Sequence, residues 1–108
     1  MSEETKIAEE FDALIECLRV IPKPALYEQL AEESAELAKA ALKISRILRG
    51  ENPTPVKFDE AWTNLKEEMT DCFTVWSVLG IGLDIDIMMS KLRRWSGRIK
   101  EAGRKDKE

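Results

Sequence analysis

The sequence predicts an all-α fold: one domain, residues 1–108, of four helices arranged like a four-helix bundle and held as an oligomer. Three observations carry this reading. Apolar residues recur at helical spacing along four separate stretches. Pro22, Pro24, Gly50, Pro53, Pro55, Gly80 and Gly82 punctuate the chain where those stretches end. No stretch shows the two-residue alternation of a half-buried strand.

The first helix is expected from about Glu4 to Arg19, with Ile7, Phe11, Leu14, Ile15 and Leu18 on one side. Pro22 and Pro24 end it, and Pro24 suits the first turn of the next helix, where a missing N–H costs nothing. The second helix should run from about Pro24 to Arg49, with Leu26, Leu30, Leu37, Ala40, Ala41, Ile44 and Leu48 as its stripe. Gly50 reads as its C-terminal cap, and Glu51–Lys57 as a loop. The third helix should span about Phe58 to Leu79, with Trp62, Leu65, Met69, Cys72 and Trp76 on its apolar side. Asp59 and Glu60 suit its N-terminal dipole. Gly80 and Gly82 break it, and Asp84 can cap a fourth helix carrying Ile85, Met88, Leu92, Trp95 and Ile99. The charged tail Gly103–Glu108 is expected to fray.

Beyond Asp71 the third helix is apolar over most of its circumference, with only Thr70, Thr74 and Ser77 on a mildly polar side. Three short helices do not readily cover so wide an arc. That favours a homodimer or homotetramer in which helix three or four packs against a partner chain. Trp62, Trp76 and Trp95 read as core or interface packing.

Composition removes several classes of function. Hydrophobic residues at 44% and charged residues at 35% are the balance of a globular chain. A net charge of −4 argues against nucleic acid as a partner. Residues 1–10 are acidic and polar, unlike a signal peptide, and the apolar run Val75–Leu83 is too short for a membrane span. A cytoplasmic protein without membrane attachment is expected. Cys17 and Cys72 form no CxxC motif and sit among apolar residues, as buried reduced thiols do. The chain has no histidine, which excludes Ser-His-Asp and Cys-His centres, His-containing zinc sites and the Glu-x-x-His di-iron bundle.

Against that background, two acidic pairs stand out. Glu33 and Glu36 are spaced i, i+3, as are Glu68 and Asp71. At about 100° per residue, Glu33 fills a gap in the stripe of helix two, and Glu36 lies at its edge. Glu68 sits between Leu65 and Cys72 in the stripe of helix three, with Asp71 one turn on. A lone glutamate in a stripe is most simply a boundary residue reaching for water. Two inward pairs on two helices are harder to dismiss, because clustered carboxylates in low dielectric need a cation. An all-oxygen set selects a hard ion, magnesium or manganese. The basic run Lys91, Arg93, Arg94, Arg98 and Lys100 reads first as a solvated face. Lys91 and Arg98 nevertheless border the apolar stripe of helix four, whereas Arg93 points away.

The order Glu32-Glu33-x-x-Glu36 followed by Glu68-x-x-Asp71 resembles the signature of the MazG-like all-α nucleoside triphosphate pyrophosphohydrolases, in the small single-domain form found in bacteria and phages. The likeness runs from about Leu26 to Ile99 and takes in Lys91-x-x-Arg94-Trp95-x-x-Arg98. Glu51–Lys57 makes the stretch between the motifs longer than in the family's shorter members, so the resemblance does not identify the base. It implies a MazG-type oligomeric fold, magnesium ligation by Glu33, Glu36, Glu68 and Asp71, and a catalytic pair Glu32 and Glu33, with Glu32 orienting water. It also implies phosphate binding by Lys91, Arg94 and Arg98, and cleavage of a nucleoside triphosphate substrate to monophosphate and pyrophosphate. Two other readings of the residues compete: a non-catalytic helical interaction or regulatory module, and a bundle that stores a metal.

Overall fold

The computed structural model describes residues 2–50 and 56–107. Four α-helices make up the described chain: α1 (Glu3–Leu18), α2 (Lys23–Arg49), α3 (Phe58–Leu79) and α4 (Ile85–Lys107). There is no strand among the described residues. The expected loop Glu51–Lys57 lies mostly outside them. No described helix is long and apolar enough to cross a membrane.

The helix ends follow local chemistry. Ser2 Oγ accepts the Thr5 N–H at 3.1 Å and caps α1. Pro24 stands in the first turn of α2. Gly50 and Gly80 end α2 and α3 at φ 65° and 72°, a left-handed conformation that costs glycine little. Asp84 Oδ1 accepts the Ile87 N–H at 3.0 Å and starts α4, as expected. Among the described residues α4 continues into the tail, through Lys107. Its last turns carry i, i+3 charge pairing, with Arg104 at 3.7 Å from Glu101.

Helices α2 and α3 pack antiparallel and supply nearly all of the close helix–helix approach, with a small contact between α1 and α3. Ala40 and Ala61 are buried, where short side chains let helices come near one another. One end of the pair is sealed by Ile15 of α1, Leu26 of α2 and Val78 of α3, with Leu79 against them. Arg19 fastens the same end. Its Nε donates to the Val78 carbonyl at 3.2 Å, and its Nη1 pairs with Glu16 at 3.0 Å.

The chain does not close into a bundle by itself. Helix α4 makes no close approach to α1, α2 or α3, and its described side chains are all exposed. The radius of gyration is 19.1 Å, against about 13 Å for a compact chain of this length. Of the expected α1 stripe only Ile15 is buried; Ile7, Phe11, Leu14 and Leu18 face outward. Cys17 is exposed, not buried, because it lies on the side of α1 that meets no neighbour. Cys72 is half-buried.

If the three-residue seal carries the α2–α3 register, its side chains are worth far more than apolar side chains elsewhere. Leu26→Ala should cost about 2–5 kcal/mol. Leu48→Ala, at a position 71% exposed, should change stability by less than about 0.5 kcal/mol. Urea unfolding followed by circular dichroism separates the two, and equal costs would refute the assignment of the core.

Candidate metal centre

The register that seals the core also sets the carboxylates opposite one another. Two turns along α2 from Leu26 lies Glu33. Two turns back along α3 from Val78 lies Asp71, with Glu68 one turn further. One carboxylate oxygen from each of Glu33, Glu68 and Asp71 lies within 4.8 Å of the others. The three donors are all oxygen, the ligand type that hard divalent cations take.

The site is more open than the sequence suggests. Glu33 and Glu68 are half-buried, and Asp71, Glu36 and Glu32 are exposed. No charged side chain is buried among the described residues. The expectation of carboxylates turned into a core is corrected to carboxylates on the rim of a helix pair. The reason is the missing layer: with α4 standing clear, no other described helix covers this face of α2 and α3.

Glu36 lies outside the tight trio. Its Oε1 is 3.6 Å from Lys39 Nζ, one turn along α2. Its charge is still felt at Glu68. Partial burial first, then Asp71, Glu36, Glu33 and Glu67 in that order, raise the Glu68 carboxyl above its ordinary value of 4.5. The four expected ligands therefore share one electrostatic neighbourhood, although only three converge. Glu32 is exposed and is not one of the trio.

One positioning residue escaped the reading of the sequence. Gln29 Nε2 donates to Glu33 Oε1 at 2.7 Å from one turn before it. The i, i+4 spacing was the available signal. This bond occupies one oxygen of Glu33 and orients the other. Burial pushes the Cys72 thiol up, as do the charges of Glu33, Asp71 and Glu68, against an opposing hydrogen bond with Ser34.

The basic residues do share one place on α4. Lys91, Arg94 and Arg98 line a notch beside Trp95, and Arg93 does not. Because α4 touches neither α2 nor α3, a single chain does not bring these cations to the carboxylates.

The raised Glu68 value has a consequence for stability. Folded chain holds this proton more tightly than unfolded chain. The protonated form therefore adds stability that is complete below the unfolded value, and this is lost as pH rises through the raised folded value. In chelator-treated protein, Glu68→Gln should raise Tm at neutral pH, and the gain should vanish on titration to about pH 4. A gain independent of pH would show that mutual repulsion is not its source.

No family model, curated protein or solved structure matches this chain; the function of the cluster has to be read from its own chemistry and from its motif.

Proposed function

We propose that this chain is a magnesium-dependent nucleoside triphosphate pyrophosphohydrolase of MazG-like type, acting in the cytoplasm as a homodimer or homotetramer. The observation that carries the reading is the convergence of Glu33 on α2 with Glu68 and Asp71 on α3. It occurs in the order and spacing that the family motif requires. Glu36 would complete the set by releasing Lys39.

Bound magnesium or manganese supplies charge neutralisation for a polyphosphate and acidifies water. The chain's residues do the rest. Glu33, held by Gln29, presents a fixed oxygen toward the seam. Glu32 orients a water for attack at phosphorus. The bond between the α-phosphorus and its bridging oxygen breaks, pyrophosphate leaves, and the proton of the water passes to a carboxylate. Lys91, Arg94 and Arg98 hold phosphate oxygens by charge-assisted hydrogen bonds.

A helical interaction module is the second reading. The observation in its favour is the amount of exposed apolar side chain, Trp62, Phe73 and Trp95 included. Metal dependence separates the two, because docking needs no cation.

Added magnesium should raise Tm by mass action, and Glu68→Gln should remove that rise while leaving the helical circular dichroism signal. An unchanged metal response in Glu33→Gln, Glu36→Gln and Glu68→Gln would refute the metal site. A panel of nucleoside triphosphates should release pyrophosphate and monophosphate; orthophosphate as product would exclude α–β cleavage. Lys91→Ala should lower kcat/KM about tenfold or more, as loss of a charge-assisted bond of about 1.5–3 kcal/mol implies, while Arg93→Ala stays near parent. Equal losses would mean a merely solvated basic face.

A further inference from the structure

Glu33 is the one carboxylate that α2 contributes to the trio; Glu68 and Asp71 both stand on α3. What α2 offers a cation therefore depends on how many oxygens of Glu33 are free to meet it. Gln29 Nε2 donates to Oε1 at 2.7 Å, so Oε1 is taken and Oε2 is left. A metal-binding carboxylate only accepts hydrogen bonds, so the glutamine has to present its amide N–H here and not its carbonyl. The two side chains lie four residues apart on one helix, and the helix fixes their spacing whatever its neighbours do.

The charge of the donor matters as much as its position. Glu36, one turn beyond Glu33, faces the Lys39 ammonium at 3.6 Å. An ammonium neutralises a carboxylate and competes with a metal for it. A glutamine amide carries no net charge. It holds one Glu33 oxygen in place and leaves the negative charge of the group to a cation, as hydrogen-bonded neighbours of metal ligands do.

Hard divalent cations differ in how they take a carboxylate. Calcium binds about six to eight oxygens in flexible geometry and accepts both oxygens of one carboxylate, whereas magnesium demands a near-octahedral set and keeps several waters. One oxygen each from Glu33, Glu68 and Asp71 leaves the rest of an octahedron to water or phosphate oxygens. A second oxygen from Glu33 would add a donor that calcium uses and an octahedral ion does not.

We propose that Gln29 sets the metal preference of the trio: by occupying Oε1 it confines Glu33 to ligation through one oxygen and biases the site toward magnesium or manganese over calcium. Gln29 acts through Glu33, so it is a positioning residue and not a ligand. The inference rests on the metal reading of the trio proposed above, and adds to it the side chain that discriminates between hard cations. A bond that merely steadied α2 would act on both cations alike, because helix stability carries no information about which ion is bound.

The test is calorimetric titration of chelator-treated, full-length protein with magnesium chloride and with calcium chloride, in parent and in Gln29→Met. Methionine keeps an unbranched side chain of similar helix propensity and removes the donor. Losing a hydrogen bond to a metal ligand costs about 10–100-fold in metal affinity, and Gln29 is exposed, which places it at the lower end. In Gln29→Met the magnesium Kd should rise about tenfold while the calcium Kd holds or falls, so the ratio of the two moves about tenfold or more toward calcium. The helical circular dichroism signal of the metal-free variant should match the parent. The bond itself is visible by NMR: the Gln29 side-chain amide resonance, assigned by its absence from Gln29→Met, should keep its hydrogen-bonded shift when magnesium binds. Its return to the position of a solvated amide would overturn the proposal. So would equal weakening of both cations in Gln29→Met, or affinities unchanged for both. A parent that binds neither cation would sink the metal reading and this inference with it, whereas a parent that binds magnesium and a variant that keeps the same ratio would sink the role of Gln29 alone.

Discussion

The antiparallel register of α2 on α3 is the constraint on which the rest depends. It is set at one end by Ile15, Leu26 and Val78, with Arg19 tying α1 to the Val78 carbonyl. Helices in contact advance together, turn by turn, so a register fixed at Leu26 and Val78 is also fixed two turns away. There it aligns Glu33 with Asp71 and Glu68. The same packing that buries apolar area forces like charges together, and the seal must outweigh that repulsion.

How much repulsion is tolerated depends on exposure. Glu33 and Glu68 are half-buried and Asp71 is exposed, so water screens part of the cost. Partial burial and the neighbouring carboxylates raise the proton affinity of Glu68. Gln29 relieves Glu33 by donating to one of its oxygens. Thr70, Thr74 and Ser77 follow a similar local economy on α3. Their hydroxyls donate to carbonyls one turn back at 2.7–2.8 Å, which leaves that side of the helix free of unpaired polar atoms. A face of this kind can be dry or wet according to what lies against it.

Helix α4 departs from the bundle plan. It is capped by Asp84 and regular through Lys107, yet none of its described side chains is buried. An amphipathic helix of this length gains most of its stability in proteins from packing its apolar stripe. In α4 that stripe is exposed, and the helix is basic while the rest of the chain is acidic.

The sequence by itself determined the four helices, their caps at Gly50, Gly80 and Asp84, and the two acidic pairs. These are local properties: backbone freedom of glycine, side-chain acceptors at helix starts, and residues one turn apart. It also determined that no imidazole can ligate a metal, because the chain has no histidine. Burial was not legible. Periodicity marks which face is apolar but not whether a neighbour covers it, so the stripe of α1, Cys17 and the inward placement of the carboxylates were read as more enclosed than they are. Only the tertiary structure decided that Glu33, Glu68 and Asp71 meet while Glu36 turns toward Lys39. It alone decided that Lys91, Arg94 and Arg98 lie out of reach of them in one chain. Distances between helices are set by packing across the chain, and no spacing along one helix encodes them.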